Sequence, residues 1–188
     1  MRHVMAWGAG LVWLTLFMVV CGAGREFNQS ELTEIKSIYA DPDYGFSVTI
    51  PDGLVARRMK APAPNHGFSA DLPDGSQLWV DASYDALLLG SADKAAMEAG
   101  RAWLTAPQMR IVNRRATTLA GNQASDIVIK RGPAGSGVNY VRLIVAFRAV
   151  FGGVGIVYTI GLKESSVGPN SEGVLSEVVK SFHVMPLQ

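Results

Sequence analysis

The run Tyr140-Val-Arg-Leu-Ile-Val-Ala-Phe-Arg-Ala-Val150 is apolar at nearly every position and does not alternate. A strand with one wet face shows a period of two, so such a run reads as a strand covered on both sides. A fold built on this chain must therefore place a layer on each face of a sheet. The flanking strands are joined by short turn-forming links. Met109–Leu119 and Gln123–Arg131 meet at Ala120-Gly-Asn122. Asn139–Phe151 and Val154–Leu162 meet at Gly152-Gly153, whose tolerance of positive φ suits a tight hairpin. Pro73-Asp-Gly75 links Phe68–Leu72 to Ser76–Asp85 in the same way. Tight hairpins make neighbouring strands antiparallel, and the sheet is predicted to be mostly so.

Two helices supply the covering layers. Ser91 caps one running to about Leu104, with Ala96, Met97, Gly100, Trp103 and Leu104 on its apolar stripe. Asn170 or Ser171 caps the other, whose stripe of Val174, Leu175, Val178, Val179 and Phe182 is predicted to be buried against the sheet. Upstream, Tyr44–Ile50 alternates, with Phe46, Val48 and Ile50 on one face, and Pro51-Asp-Gly53 turns the chain. The expected fold class is α+β: an α/β/α sandwich with a mostly antiparallel sheet and helices on both faces.

The amino-terminal region has a different composition. Met1-Arg-His3 is a short positive start, Val4 to Gly24 carries no charge, and small residues follow at Gly22-Ala-Gly24. That is the layout of a secretory leader. Two readings of its end stand. Cys21, the chain's one cysteine, follows the apolar run as the lipidated cysteine of a bacterial lipoprotein does, although Met18 and Val20 depart from the usual Leu and small residue. The other is ordinary cleavage after Ala23. An uncleaved membrane helix needs ~20 apolar residues, and Gly8 and Gly10 weaken that option. The chain divides on this reading into a leader at 1–23, a polar tether with a docked segment at 24–43, and one domain at 44–188. Within the tether, Leu32, Ile35, Ile38 and Tyr39 are spaced as in one or two helical turns. The protein is expected to be exported, either to the periplasm or anchored facing it.

Without Arg2, the remaining 16 basic residues balance 16 acidic ones. A neutral domain lacks the clustered positive charge that nucleic acid demands. Contact with a membrane is expected only through the leader or a lipid on Cys21.

The order of elements resembles the PsbP/Mog1-like superfamily, which includes extrinsic photosystem proteins, a Ran-binding nuclear factor and many bacterial envelope proteins. The residues carrying the resemblance are Tyr44-Gly-Phe-Ser-Val-Thr-Ile-Pro-Asp-Gly53, Leu119-Ala-Gly121, Gly152-Gly-Val-Gly-Ile-Val-Tyr158 and Val178-Val-Lys-Ser-Phe-His183. Leu54 stands where members usually have Trp. The resemblance implies an α/β/α sandwich at 44–188 that binds a protein partner and performs no chemistry.

Residue by residue, the catalytic reading is weak. His66 lies in a Pro-rich loop, and His183 follows the last helix as a cation near a carboxyl end. Asp81 with Asp85, and Asp41 with Asp43, read as solvated carboxylates, because a Ca²⁺ site needs more oxygens than a pair supplies. Gly132–Gly137 lacks the Gly-Lys-Ser/Thr ending of a phosphate loop. Trp79 and Trp103 read as core, and the pairs Arg57-Arg58 and Arg114-Arg115 as strand-edge charge. No cofactor and no metal are expected.

The expected function is therefore a non-catalytic exported module that binds a protein partner in the envelope, as an accessory subunit or an immunity-type protein. The alternative is a periplasmic binder of a small ligand or metal ion, with a hydrolase as the outside case. With the sheet faces covered, recognition falls to irregular loops. Those are Lys60–Gly67, with Asn65 and His66, and Gly132–Gly137, with Gly132 and Ser136.

Overall fold

Turn chemistry and strand periodicity place most elements within a residue or two of expectation. In the computed structural model the described residues are 33–58, 66–132, 138–150, 154–164 and 169–187. Their order is β1 (Thr33–Ile35), β2 (Ile38–Asp41), β3 (Phe46–Thr49), β4 (Ala56–Arg58), β5 (His66–Asp71), β6 (Gln77–Tyr84), α1 (Ala92–Leu104), β7 (Met109–Leu119), β8 (Asn122–Arg131), β9 (Tyr140–Ala149), β10 (Gly155–Glu164), α2 (Pro169–Ser181) and β11 (His183–Val184). Ser91 caps α1 as expected, its side chain accepting from the Lys94 N–H. The second helix begins at Pro169, so Ser171 lies inside it. Gly152-Gly153 is outside the described residues.

Eight strands form one sheet in the order β1-β4-β5-β6-β10-β9-β8-β7, and β11-β3-β2 form a second. Every pairing is antiparallel. The long apolar strand β9 lies inside the large sheet and divides its residues between two cores. Val141, Leu143 and Val145 join Ile127 and Ile129 of β8 beneath Ala95 and Ala96 of α1. Tyr140 and Ala146 join Tyr158, Ile160 and Leu162 of β10 in a cluster with Leu175, Val178 and Phe182 of α2. Successive strand residues point to opposite faces, which is why β9 shows no alternation.

One expectation is corrected. The segment Thr33–Asp41 forms β1 and β2, not helical turns. In β2, Tyr39 and Asp41 point inward while Ile38 and Ala40 point out, because pairing with β3 imposes a period of two. The small sheet then lies over the large one, with Tyr39, Phe46 and Val48 entering the same core as α2.

An ionic joint ties α2 to the sheet. Asp126 of β8, almost wholly buried, accepts from Arg142 of β9 at 3.0 and 2.8 Å and from Arg115 of β7 at 2.9 and 2.7 Å. Arg142 and Tyr140 also donate to Glu172 of α2. Arg114 donates to Asp93 of α1 at 2.6 Å. The Arg114-Arg115 pair, read as edge charge, is thus tied to α1 and to buried Asp126.

Candidate functional site

The strand registers first separate the two loops singled out in the sequence. His66 opens β5 opposite Ala82, in a row that continues through Tyr158, Ala146 and Ala124. Gly132 lies two residues past Lys130, whose row runs through Tyr140 to Glu164, beside the Lys163–Gln77 pair. Ala82 and Gln77 are five residues apart on β6, roughly 17 Å along the strand. The two loops therefore leave opposite ends of the sheet. Gly132 donates to the Gln108 carbonyl at 3.1 Å, a connection between strand ends. Asn65, Ser136 and Cys21 are outside the described residues.

The His66 end gathers side chains from four strands. Asp41, 1% exposed, accepts from the Tyr39 hydroxyl at 3.0 Å and the Tyr44 N–H at 3.2 Å. His66 Nδ1 stands 3.7 Å from its carboxylate and Arg58 3.9 Å, contacts longer than a hydrogen bond. Arg58 also lies over the Tyr39 ring at 5.6 Å. The Tyr44 ring lies between His66, at 4.0 Å, and Tyr84, at 4.9 Å. Burial, and after it the Asp41 charge, hold the Tyr39 phenol well above its ordinary range. Burial and the neighbouring Tyr84 raise Tyr44 as well. Both phenols stay protonated, and Tyr39 donates to Asp41. The cluster fixes the positions of rings and holds no activated nucleophile.

Next to it, residues 85–90 form a locked loop. Buried Asp85 caps the N–H groups of Leu89 and Gly90, each at 2.9 Å, and its own N–H donates to the Gly155 carbonyl at 2.8 Å. Leu88 is held at φ 51, a left-handed conformation costly for a leucine. What this strain presents is apolar: Leu87 is 65% and Leu88 71% exposed, beside the half-exposed Tyr84. Sequence reasoning passed over this loop. Its signal was Leu87-Leu-Leu89 between a strand end and a helix cap, an apolar run where a polar link belongs.

A second feature lies on the other face. There α1 covers β7, β8 and β9 and barely reaches β10, so no helix of the described residues covers β5 and β6. A groove of about 240 Å³ is lined there by Gly67, Ser69, Gln77, Trp79 and Asp81. Trp79 and Trp103 are only partly buried and tilt together at 6.1 Å. They border the α1 core without closing it over. Burial lifts Asp81 to about 7, against the N–H groups of Ala82 and His66, which lower it. The expected solvated carboxylates are thus absent at three places: Asp81 is partly buried, Asp85 caps a loop and Asp41 is buried.

Among the described residues no group of three or more His, Cys, Asp or Glu side chains is placed to hold a metal ion, and no helix is long and apolar enough to cross a membrane.

No family model matches the chain, and no curated protein matches it in sequence. Solved structures do match. LpqN of Mycobacterium tuberculosis, described as involved in cell envelope biogenesis, superposes with a TM-score of 0.58 at 14% identity, over 83% of this chain and 91% of that one. Cyanobacterial PsbP (CyanoP) from Synechocystis sp. PCC 6803 superposes with a TM-score of 0.52 at 18% identity, over 89% of this chain and 98% of that one. With its antiparallel sheet, small accessory sheet and two helices, the chain has the PsbP/Mog1-like fold.

Proposed function

We propose that this chain is a non-catalytic, exported envelope module that binds a protein partner through the end of the sandwich carrying Tyr44, His66, Tyr84, Leu87 and Leu88. The observation behind this reading is the locked 85–90 loop. A free loop would turn its leucines away from water or relax the φ of Leu88, whereas Asp85 holds both residues out. Exposed apolar groups on a rigid support, beside tyrosines, are the composition of a binding hot spot. The described chain also leaves β1 toward this end, because β1, β4, β5 and β6 alternate in direction. The likeness to an envelope biogenesis protein supports the compartment. An accessory subunit and an immunity-type protein both fit this surface.

Serine at both Leu87 and Leu88 tests the reading. The variant is expected to lose about ten-fold or more in capture of its envelope partner, the effect of removing one hot spot. Its unfolding free energy should stay within ~0.5 kcal/mol of wild type, as for surface changes. Equal capture by the variant would refute the surface. Export is checked separately by fusing residues 1–40 to a reporter active only outside the cytoplasm. Activity there is expected, and a signal from a cytoplasmic reporter would overturn the compartment.

A further inference from the structure

The open groove on β5 and β6 has a composition that the apolar end of the molecule does not explain. Two glycines shape it. A Cβ on Gly161 would come within 2.1 Å of the Trp79 ring, so the indole leans across β10 only because that side chain is missing. A Cβ on Gly67 would come within 1.8 Å of the Val80 carbonyl, so β5 closes on β6 beside Asp81 on the same condition. The result sets an aromatic ring and a carboxylate two residues apart on one strand face.

No cation of the described residues is paired with that carboxylate. Arg57, on the same face, stands 3.8 Å from Asp71 in an exposed pair. Lys163 lies opposite Gln77, four residues beyond the Thr159 that faces Asp81, roughly 13 Å away along the strand. The His66 ring points to the other face, against Tyr44. The backbone N–H groups of Ala82 and His66 are what favours the charged form of Asp81. A cation beside a partly buried carboxylate favours its charged form, and the groove has room to receive one. At about 240 Å³ it is smaller than a metabolite pocket, typically ~300–1,000 Å³, and of a size for the head of one side chain.

We propose that the Trp79–Asp81 groove receives a single guanidinium or ammonium group, paired with the Asp81 carboxylate and lying against the Trp79 ring. Arginine suits it best, since a planar guanidinium both stacks on an indole and bridges a carboxylate. The group comes either from a side chain of the protein partner, which rests on the function proposed above, or from a free organic cation. The raised range of Asp81 supports the site, because binding a cation recovers the charged form that burial disfavours.

The probe is N-acetyl-arginine amide, titrated into the full-length protein while the indole N–H resonance of Trp79 is followed. Its neutral isostere, N-acetyl-citrulline amide, serves as control. A saturable, millimolar shift is expected with the arginine compound alone. It should weaken about ten-fold from about pH 8 to about pH 6, as Asp81 takes up its proton near 7. The shift should vanish in Asp81→Asn. An equal response to the citrulline compound, a response that survives Asp81→Asn, or none into the tens of millimolar would overturn the proposal. If Asp81→Asn fails to fold, the pH dependence of the wild-type titration decides in its place. Partner capture by Asp81→Asn then separates the sources. A loss assigns the group to the partner, and unchanged capture assigns it to a free cation. Either result leaves the Leu87–Leu88 surface to its own test.

Discussion

Replacing Phe182 by alanine is expected to cost roughly 3–5 kcal/mol of unfolding free energy, the range for truncating a buried phenylalanine. Phe182 follows α2 and is almost wholly buried. It stacks on Phe46 of the small sheet at 5.4 Å and meets the edge of Tyr158 in the large sheet at 5.3 Å. One ring thus joins three layers, and the cavity left by alanine would have walls on all of them. Chemical denaturation measures the loss. A value below about 1 kcal/mol, the scale of a surface change, would mean that α2 does not close this core. Val179 is a useful comparison. It was expected to be buried with Val178, yet it is only partly covered. Val179→Ala should therefore cost less, nearer ~1 kcal/mol.

The parts of the fold that were legible are those whose burial leaves a periodic trace. The nearly continuous apolar run of β9 reports two covered faces, and Ser91 reports a helix start, because each signal acts within a few residues. The helical spacing of Ile35, Ile38 and Tyr39 misled for the opposite reason. Ile38 is exposed, and pairing with β3, distant from any local propensity, decides the conformation of β2. The candidate site was less legible still. Asp41 looks like a loop carboxylate until Tyr39, Arg58 and His66 surround it. Asp81 looks solvated until the close approach of β5 to β6 at Gly67 partly buries it. A sequence shows that an acid is present and is silent on which distant residues remove its water. The leucines at 87 and 88 carry no period. Only the Asp85 caps, visible in the structure, explain why they face outward.

Asp126→Ala is expected to cost about 3–5 kcal/mol at neutral pH, as when one partner of a buried ion pair is removed. Burial alone would raise the Asp126 carboxyl, but hydrogen bonds from Arg142 and Arg115 hold it below the ordinary range. The folded state therefore binds this proton less tightly than the unfolded chain, whose Asp titrates near ~3.9. By linkage, the Asp126 contribution is fully present above that value and fades as pH falls through the lower folded one. Denaturation curves of wild type and Asp126→Ala should thus lie far apart at neutral pH and draw together in acid. A gap that stays constant would mean that packing, not charge, makes the difference. Much of the neutral-pH cost would come from Arg142, whose side chain is 20% exposed and would keep its charge with only Glu172 beside it. Arg115, at 60% exposed, can turn to water. Removing both charges, as in Asp126→Leu with Arg142→Met, should accordingly cost less than the two single changes added together. A strictly additive double variant would show that Asp126 and Arg142 act independently, and that the joint between α2 and the sheet rests on Glu172 and Tyr140 instead.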